Sequence, residues 1–475
     1  MTKNKYRNKE LYKKLLRNLF SVALIAVQTG LFGYVWLAEY NHQIAAPFFE
    51  KGNWLFCAVY AILFVLFLVC FDGLKYGLYR KYNLLLGQGL ATLGTVFIVY
   101  LQITLLSLRF VNPVPLLQML LINLILCVVL TLTSEWLIHI LFPAKRLLVI
   151  CDSYPPDQFL QKMSGRRDKY RVAEVINVSE GLEVIEPKIL QAESVLVYDV
   201  HSEIRNKLLK LCFEHGVRAY STTKVSDILI RGAERIHIFD TPLLLYRNIG
   251  LTIEQRFFKR FMDIVISLLL LIITSPILLI SALAIKLYDG GPVFFLQERC
   301  TLNGKVFKIH KFRSMIVDAE KIGGAQLATE KDPRITPVGR FLRATRLDEL
   351  PQLIDILIGN MSLVGPRPER PGITEQYAKN MPEFKYRLKV RGGLTGYAQL
   401  YGKYNTTAYD KLQLDLMYIQ NYSLLLDIRL ILMTVKIMFM KESTEGVSEE
   451  MNKNIAEMNE RYENEKETAE MNSEE

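Results

Sequence analysis

An adjacent pair of carboxylates, Asp348 and Glu349, lies among arginines in the segment Arg343-Ala-Thr-Arg-Leu-Asp348-Glu349-Leu-Pro351. A carboxylate can attack phosphorus as a nucleophile when Mg²⁺ and guanidinium groups neutralise the phosphate charge. Neighbouring side chains on a helix point about 100° apart, so the two carboxylates would take separate tasks. Guanidinium groups recur every third residue before and within this segment, at Arg340, Arg343 and Arg346. The alternative is a solvated helix face with surface ion pairs.

Two motifs after the acidic pair favour phosphate chemistry over that alternative. Asn360-Met-Ser-Leu-Val-Gly365-Pro366-Arg367-Pro368 is a turn rich in glycine and proline, which would hold the Arg367 guanidinium on a rigid loop. Donors that are fixed in advance cost little to organise around a developing phosphoryl charge. The segment 389–399 is dense in glycine, as a close approach of two backbones requires.

Five apolar runs are long enough to cross an apolar layer of about 30 Å. Four of them lie near the N-terminus, at 19–37, 54–71, 86–108 and 116–142, and the fifth lies at 264–285. Lys and Arg in short flanking segments are retained in the cytoplasm. The N-terminal arm, the second loop and the segment after the fourth run are all basic. This pattern predicts four spans with both ends in the cytoplasm.

The formal charge of +10 conceals a strong asymmetry. The tail 441–475 holds 12 Glu against 4 Lys and Arg, a composition typical of disorder, and without this net −8 residues 1–440 carry +18. Such a surface suits anionic lipid headgroups and phosphorylated substrates, whereas the spans argue against a nucleic-acid partner. The six cysteines are dispersed without zinc or redox spacing, which indicates free thiols in a reducing compartment.

After the fourth run, short apolar segments alternate with helix-prone ones, as in an α/β domain. The segments 146–150 and 194–198 are predicted to be buried parallel strands, and 207–215 a helix that ends at Gly216. The turn Cys151-Asp-Ser-Tyr-Pro-Pro156 has no glycine with which to cradle a dinucleotide phosphate. We therefore favour a structural or regulatory role for this domain over nucleotide binding.

The fifth apolar run is interrupted by Ser275-Pro276. Proline removes one backbone donor and crowds the carbonyl of Ile272, so we expect a sharp bend with Ser275 able to hydrogen-bond the freed carbonyl. Two half-helices could then enter and leave the same leaflet, which would keep the basic segment after the run in the cytoplasm. The alternative is an ordinary span with a kink.

Three local elements follow the fifth run. Asn303-Gly304, between two β-rich stretches, predicts a hairpin. The segment 336–350 predicts one helix, with Thr336 as N-cap and Pro337 at the first helical position. The stretch 424–440 contains charged residues and is typical of an interfacial helix.

Four motifs resemble, in this order, the bacterial sugar transferase family, the monotopic polyprenyl-phosphate hexose-1-phosphate transferases. They are Lys311-Phe-Arg-Ser-Met315, Leu347-Asp-Glu-Leu350, Gly365-Pro-Arg-Pro368 and Gly393-Leu-Thr-Gly396, within residues 256–440. Three positions depart from the family's usual pattern without removing a charge. Thr301 stands where glycine is common, Gly392 where many members have proline, and Tyr397 where tryptophan is frequent.

The resemblance implies roles for individual residues. Asp348 would be the nucleophile and Glu349 its partner in a Mg²⁺-dependent site, with Asp348 also contacting the metal. Ser275-Pro276 would be the break of a re-entrant membrane helix. Phosphate groups would be held by Lys311, Arg313, Arg343 and Arg367, and the residues in or near the site would include Asp415 and Glu298.

The resemblance also implies an activity. The enzyme would move hexose 1-phosphate from a UDP-hexose to undecaprenyl phosphate at the cytoplasmic face of a bacterial inner membrane, releasing UMP and starting capsule, O-antigen or exopolysaccharide repeat units. Family members commonly act as dimers, so we expect a homodimer. The alternatives are an inactive scaffold for polysaccharide assembly and a nucleotide-sensing membrane regulator. The sequence does not identify the hexose.

The fold class predicted from these features is a membrane protein of the α plus α/β type. We expect a transmembrane domain of four helices at 1–144, a Rossmann-like α/β domain at 145–250 and a re-entrant membrane helix at 251–290. A mainly α catalytic domain would follow at 291–440, and an acidic tail at 441–475.

Overall fold

A computed structural model of the chain describes residues 2–152, 156–164, 168–246, 250–317, 319, 332–402 and 406–440. The chain forms two compact units, Met1–Thr223 and Lys224–Glu475. This division precedes the predicted domain boundary at residue 250, because Ile228 of helix α8 (Val225–Arg231) is buried in the core of the second unit. The tail 441–475, which was predicted to be disordered, lies outside the described residues, as do residues 153–155 of the predicted turn.

Four long helices open the first unit: α1 (Thr2–Val35), α2 (Glu50–Cys70), α3 (Lys81–Ser107) and α4 (Val114–Leu141). All four are long and apolar enough to cross a membrane. Aromatic packing joins α1 to α2, where the rings of Phe32 and Tyr60 stack with centroids 4.3 Å apart. Polar side chains inside the bundle bond to each other, as the 3.0 Å hydrogen bond from Thr131 Oγ1 to Gln88 Oε1 illustrates. Such pairing satisfies polar groups where lipid offers no partner.

An α/β layer completes the first unit. Its four parallel strands are β1 (Lys145–Cys151), β2 (Tyr170–Asn177), β3 (Ser194–Tyr198) and β4 (Arg218–Ser221), in the order β2-β1-β3-β4. The connecting helices are α5 (Asp157–Ser164), α6 (Leu182–Gln191) and α7 (Ser202–His215). Both predicted strands are confirmed, and α7 ends at Gly216, whose φ of 65° suits glycine. The predicted combination of apolar helices and parallel sheet is therefore confirmed.

The second unit begins with α8, an antiparallel hairpin of β5 (Glu234–Ile238) and β6 (Thr241–Leu245), and the long helix α9 (Ile253–Asp289). A second hairpin follows, formed by β7 (Phe294–Cys300) and β8 (Val306–Phe312). The turn at Asn303-Gly304 is confirmed, with both residues in the left-handed region at φ of 57° and 78°. This conformation is the one that Asn-Gly turns prefer.

The predicted single helix 336–350 is wrong. Helix α10 (Pro337–Ala344) starts as expected, with Thr336 Oγ1 accepting the amide of Gly339 at 2.9 Å, but it ends at Ala344. Arg346 then adopts a φ of 60°, and residues Leu347–Glu349 form a short 3₁₀ turn before helix α11 (Gln352–Ile358). The positive φ of Arg346 interrupts the helix, so the acidic pair lies in a tight turn between two helices.

The remaining elements of the second unit are β9 (Ser362–Val364), α12 (Pro371–Asn380), β10 (Gly393–Thr395), α13 (Tyr397–Tyr401), α14 (Ala408–Gln420) and α15 (Leu424–Met438). Strands β9 and β10 pair in parallel. Helix α15 covers the predicted interfacial segment, and its buried face includes Asp427, which pairs with Lys259 of α9 at 2.6 Å. The charged residues of this segment are therefore not all at the surface, because Asp427 is buried and paired within the unit.

Helix α9 contains the fifth apolar run and is long and apolar enough to be a fifth candidate span. It runs without interruption through Ser275-Pro276, and Ser275 Oγ donates to the carbonyl of Ile272 at 2.8 Å. The expected hydrogen bond to the freed carbonyl is thus confirmed, and any bend at Pro276 is a kink inside one helix.

Candidate functional site

The turn Leu347–Glu349 carries the acidic pair at the junction of α10 and α11. Thr345 holds the end of α10 by donating its hydroxyl to the carbonyl of Phe341 at 2.8 Å. On the other side of the pair, Pro351 precedes the first residue of α11. The two carboxylates are therefore fixed by the ends of two helices rather than carried along one helix face.

Glu349 is held by two of the predicted phosphate-binding residues. Its Oε1 accepts Lys311 Nζ from β8 and Arg367 Nη2 from the Gly365–Pro368 loop, each at 3.0 Å. Burial alone would raise the pKa of the Glu349 carboxyl, but Arg367 and Lys311 outweigh burial and hold that pKa well below its usual range. Glu349 is thus a fixed anion that gathers cations from two distant parts of the chain.

Asp348 has a different environment from its neighbour. Within the described part of the chain, its half-buried carboxylate makes no hydrogen bond or ion pair. Burial and the adjacent charge of Glu349 raise the pKa of Asp348 to about 6, against the opposing effect of Lys311, Arg343 and Arg346. A carboxylate without a partner, close to fixed cations, is available to react or to bind an ion.

Arg343, in the last turn of α10, supplies a donor to the same region. Its Nη1 is buried and has no hydrogen-bond partner among the described residues. A buried guanidinium nitrogen without a partner is costly unless a ligand satisfies it. This nitrogen therefore favours the predicted role of Arg343 in holding an anion.

The loop Gly365–Pro368, which carries Arg367, is fixed through its backbone. Arg387 Nη2 donates to the carbonyl of Arg367 at 3.0 Å, and Arg299 Nη1 donates to that of Pro368 at 3.1 Å. The glycine-dense segment packs against the same loop, since a Cβ on Gly393 would lie 2.1 Å from the amide nitrogen of Gly365. The close backbone approach predicted for this segment is confirmed.

Asp415 lies behind that loop rather than beside Asp348. Its carboxylate is 1% exposed and accepts Arg387 Nε at 3.0 Å and Nη2 at 2.6 Å. Arg387 also approaches Glu369, which binds Lys411. Asp415 therefore positions Arg367 through Arg387. The sequence reasoning missed Arg299, Arg387, Glu369 and Lys411, whose only signal was charge within partly apolar segments.

Two predicted site residues do not join the group formed by Glu349, Lys311 and Arg367. Arg313 donates to the carbonyl of Pro292 at 2.7 Å and forms a two-pronged ion pair with Asp289 at the end of α9. Glu298 is exposed and pairs with Lys308 in the β7–β8 register, whereas Lys311 pairs with Phe295. Since side chains alternate along a strand, Glu298 faces away from Lys311.

Two departures from the family pattern contact each other. The amide of Gly392 donates to Thr301 Oγ1 at 3.2 Å, and Thr301 Oγ1 donates to the carbonyl of Asn360 at 2.8 Å. Proline at position 392 would have no amide hydrogen to donate, and glycine at position 301 would have no hydroxyl to accept it. The two departures thus complement each other and tie β7 to the segments on either side of the Gly365–Pro368 loop.

The residues around the acidic pair fit a Mg²⁺ ion that takes only part of its ligands from the protein, as in phosphate-handling sites. Mg²⁺ is commonly bound by one or two carboxylates, with substrate phosphates and waters filling the other positions. Among the described residues, no three His, Cys, Asp or Glu side chains form a group able to hold a metal, and Glu349 is engaged by Lys311 and Arg367. Asp348 is therefore the carboxylate that fits such a partial set of ligands.

Comparison with known proteins identifies relatives of the part of the chain that contains the acidic pair. Residues 254–441 match the family described as bacterial sugar transferase. The chain is 38% identical over 248 residues to a UDP-glucose:undecaprenyl-phosphate glucose-1-phosphate transferase of Klebsiella pneumoniae, covering 51% of each chain. It is 42% identical over 235 residues to a UDP-N-acetylgalactosamine-undecaprenyl-phosphate N-acetylgalactosaminephosphotransferase of Aeromonas hydrophila, covering 48% of this chain and 54% of that protein.

A shorter relative is matched almost completely. The chain is 42% identical over 185 residues to the exopolysaccharide production protein PSS of Rhizobium leguminosarum bv. phaseoli. The alignment covers 37% of this chain and 92% of the relative. The chain spans about half the length of the two longer relatives. The part shared with the shorter relative thus makes up nearly all of that relative.

Proposed function

Because the chain belongs to the bacterial sugar transferase family, we propose that it transfers hexose 1-phosphate from a UDP-hexose to undecaprenyl phosphate. The observation that carries this proposal is the half-buried Asp348 carboxylate, which makes no hydrogen bond or ion pair among the described residues and lies beside Glu349 with its bound Lys311 and Arg367. A nucleophile, fixed cations and a membrane helix in one unit are the components that a lipid-linked phosphoryl transfer requires.

The reaction would proceed in two displacements at phosphorus. An oxygen of Asp348 attacks the β-phosphorus of the UDP-sugar, the bond from that phosphorus to the bridging oxygen breaks, and UMP leaves with that oxygen. An oxygen of undecaprenyl phosphate then attacks the phosphorus of the aspartyl phosphosugar, which releases the Asp348 carboxylate and the sugar diphospholipid. Splitting the reaction lets a soluble and a lipid substrate use one site in turn.

The cations of the site have separate contributions in this scheme. Lys311 and Arg367 each use one donor on Glu349, and their remaining N–H groups can face the phosphoryl oxygens. Arg343 brings a guanidinium nitrogen without a hydrogen-bond partner in the described chain. Mg²⁺, when bound at Asp348, would neutralise charge on the diphosphate. Because Arg387 and Arg299 hold the loop that carries Arg367, the donors of Arg367 need little reorganisation as charge develops.

The packing of α9 supports a site at the membrane surface. Arg260, near the start of α9, donates to the carbonyls of Ile356 and Leu357, and Asp289, at its end, pairs with Arg313. Between these anchors, large apolar side chains such as Ile272 and Ile280 are more than 60% exposed. An exposed apolar middle with polar anchors at both ends favours a re-entrant helix facing the cytoplasm, in keeping with the basic segments around it.

The covalent intermediate gives a direct test. Purified protein is mixed with UDP-sugar labelled in the sugar, without lipid, and analysed for protein-bound label and released UMP. We expect about one label per active chain with an equal amount of UMP, and none for Asp348→Asn. Glu298→Gln, which removes a carboxylate from the opposite face of the hairpin, serves as the matched control and should form the adduct normally.

Three results would contradict parts of the proposal. Wild-type turnover by Asp348→Asn would remove Asp348 from the nucleophilic role. Turnover with lipid but no adduct without it would favour direct transfer. Failure to release UMP from UDP-glucose, UDP-galactose and their N-acetyl relatives would favour a non-catalytic scaffold; a positive result in the same screen identifies the sugar.

A further inference from the structure

Asp355, in α11, is a buried carboxylate that no step of the proposed reaction uses. Its side chain is 0% exposed, and its chain neighbours Leu353 and Ile356 belong to the apolar core of the second unit. Both of its oxygens bind one residue of β8: Oδ2 accepts the amide of His310 at 2.8 Å, and Oδ1 lies 2.8 Å from Nδ1 of the same residue. Since a carboxylate only accepts hydrogen bonds, Nδ1 carries the proton. Asp355 therefore fixes both the backbone and the ring of His310.

The next residue of β8 is Lys311, one of the cations that bind Glu349. Lys311 Nζ donates to Glu349 Oε1 at 3.0 Å. Glu349 lies in the turn before α11, and Asp355 lies within α11. Two consecutive residues of β8 are thus attached to two points of one continuous segment. These two attachments set the position of β8 along α11.

The strand that carries Lys311 depends on such an attachment. Strands β7 and β8 form a two-stranded sheet, and sheets of this size are marginally stable unless they pack against another element. The edge of β8 presents the amide of His310, which Asp355 of α11 accepts. A lysine amine stands on a flexible stem of four carbons, so the position of Nζ depends on a fixed backbone as well as on its carboxylate partner.

We propose that Asp355 is a positioning residue for Lys311. By holding the amide and the ring of His310, it fixes the β8 backbone immediately before Lys311, so that Nζ meets Glu349 and the substrate phosphate groups at one place. Asp355 acts through His310 and not on the substrate. The contact of Lys311 with phosphate groups rests on the proposed function, whereas its placement against Glu349 does not.

The placement of Lys311 can be measured without turnover. A carbodiimide joins a lysine to a carboxylate only when the two are in contact, and mass spectrometry of peptides from the treated full chain quantifies the joined pairs. We expect the Lys311–Glu349 link to form in the wild type and to fall several-fold in Asp355→Leu. Lys411–Glu369, a second ion pair of the same unit, is the internal reference and should be unchanged. Asp355→Asn should restore most of the link, because its amide group can bond the other tautomer of the ring.

A second variant changes the other partner of the buried pair. His310→Phe keeps a ring at a position that is 33% exposed but removes the Nδ1 donor. The amide of residue 310 remains, so the Lys311–Glu349 link should fall less than in Asp355→Leu. Thermal melting verifies that each variant folds, and His310→Phe decides the question if Asp355→Leu does not fold. Wild-type amounts of the link in the folded variants, or an equal loss of the reference link, would overturn the proposal.

A double-mutant cycle connects this placement with the proposed reaction. Asp355→Leu should lower kcat/KM for UMP release by roughly tenfold or more, since small misplacements of a group that holds substrate are costly. In Lys311→Gln, which already lacks the amine, Asp355→Leu should have little further effect. Equal losses in the two backgrounds would mean a general loss of folding and would overturn the proposal. If the wild type itself released no UMP, the proposed function would fail, and the cross-links alone would decide whether Asp355 places Lys311.

Discussion

Asp348 and Glu349 are neighbours in the chain, yet their surroundings separate their proton affinities. Lys311 and Arg367 bind Glu349 and hold its pKa well below the usual range despite burial. Burial and the charge of Glu349 raise the pKa of Asp348 to about 6. A higher pKa makes the ionised carboxylate a stronger base and a better nucleophile. In the proposed reaction the pair would divide its work, with Glu349 fixing cations and Asp348 reacting.

The raised pKa of Asp348 predicts the pH dependence of the first displacement. Only the ionised carboxylate attacks, so below about pH 6 the rate of UMP release should fall about tenfold per pH unit, and above about pH 7 it should level off. Glu349 stays ionised over this range because its own pKa is lowered. Single-turnover rates at several pH values measure the profile. A rate that stays constant down to about pH 5 would contradict the assignment.

Glu349→Gln should change that profile in a specific direction. The substitution removes the charge that helps to raise the pKa of Asp348, while Lys311 and Arg367 remain, so the midpoint should move to lower pH. The plateau rate should also fall, because the two cations lose the anion that fixes them. Glu298→Gln is the control and should leave both quantities unchanged. A lower plateau with an unmoved midpoint would mean that Glu349 does not act on Asp348 electrostatically.

At the level of elements, the sequence predicted the helix ends, turns and hydrogen bonds that depend only on residues close together in the chain. The Thr336 cap, the Asn303-Gly304 turn, the Gly216 stop and the Ser275 hydroxyl bond to Ile272 follow from local chemistry and are confirmed. The break at Arg346 was not predicted, because nothing local requires a positive φ at arginine. The partners of Arg313 and Asp415 depend on elements far apart in the chain, so their spacing gave no signal.

The buried pair between α9 and α15 predicts a non-additive stability effect. Lys259 Nζ binds Asp427 Oδ2 at 2.6 Å, and Tyr418 donates to the other oxygen of Asp427 at 2.8 Å. Lys259→Met leaves a buried carboxylate unpaired and should lower the free energy of unfolding by about 3–5 kcal/mol. Lys259→Met/Asp427→Leu removes both charges and should recover most of that loss. Thermal melting in detergent measures the cycle; additive losses would mean that the two charges are not coupled.

At the scale of the whole molecule, the two halves of α9 both contact other elements of the second unit. Asp263 accepts the amide of Leu363 at 3.0 Å, whereas Ile285 packs with Phe312 and Leu342. In a straight helix, Asp263 and Asp289 would be about 39 Å apart, more than the apolar thickness of a bilayer of about 30 Å. If α9 crossed the bilayer, polar elements of the unit would have to follow it through hydrocarbon, where unpaired backbone groups are too costly. The packing therefore favours entry and exit on one side.

This topology predicts that residues before and after α9 are accessible from the same side of the membrane. Glu254, at the start of α9, and Lys305, in the hairpin turn after it, are both exposed. In a cysteine-free background, Glu254→Cys and Lys305→Cys should both resist a membrane-impermeant maleimide added to intact spheroplasts and both react after permeabilisation. Lys51→Cys, at the exposed start of α2, is the control and should react in intact spheroplasts if the bundle has both ends in the cytoplasm. Labelling of Lys305→Cys but not Glu254→Cys in intact spheroplasts would mean that α9 crosses the membrane and exports the basic unit, against the positive-inside tendency.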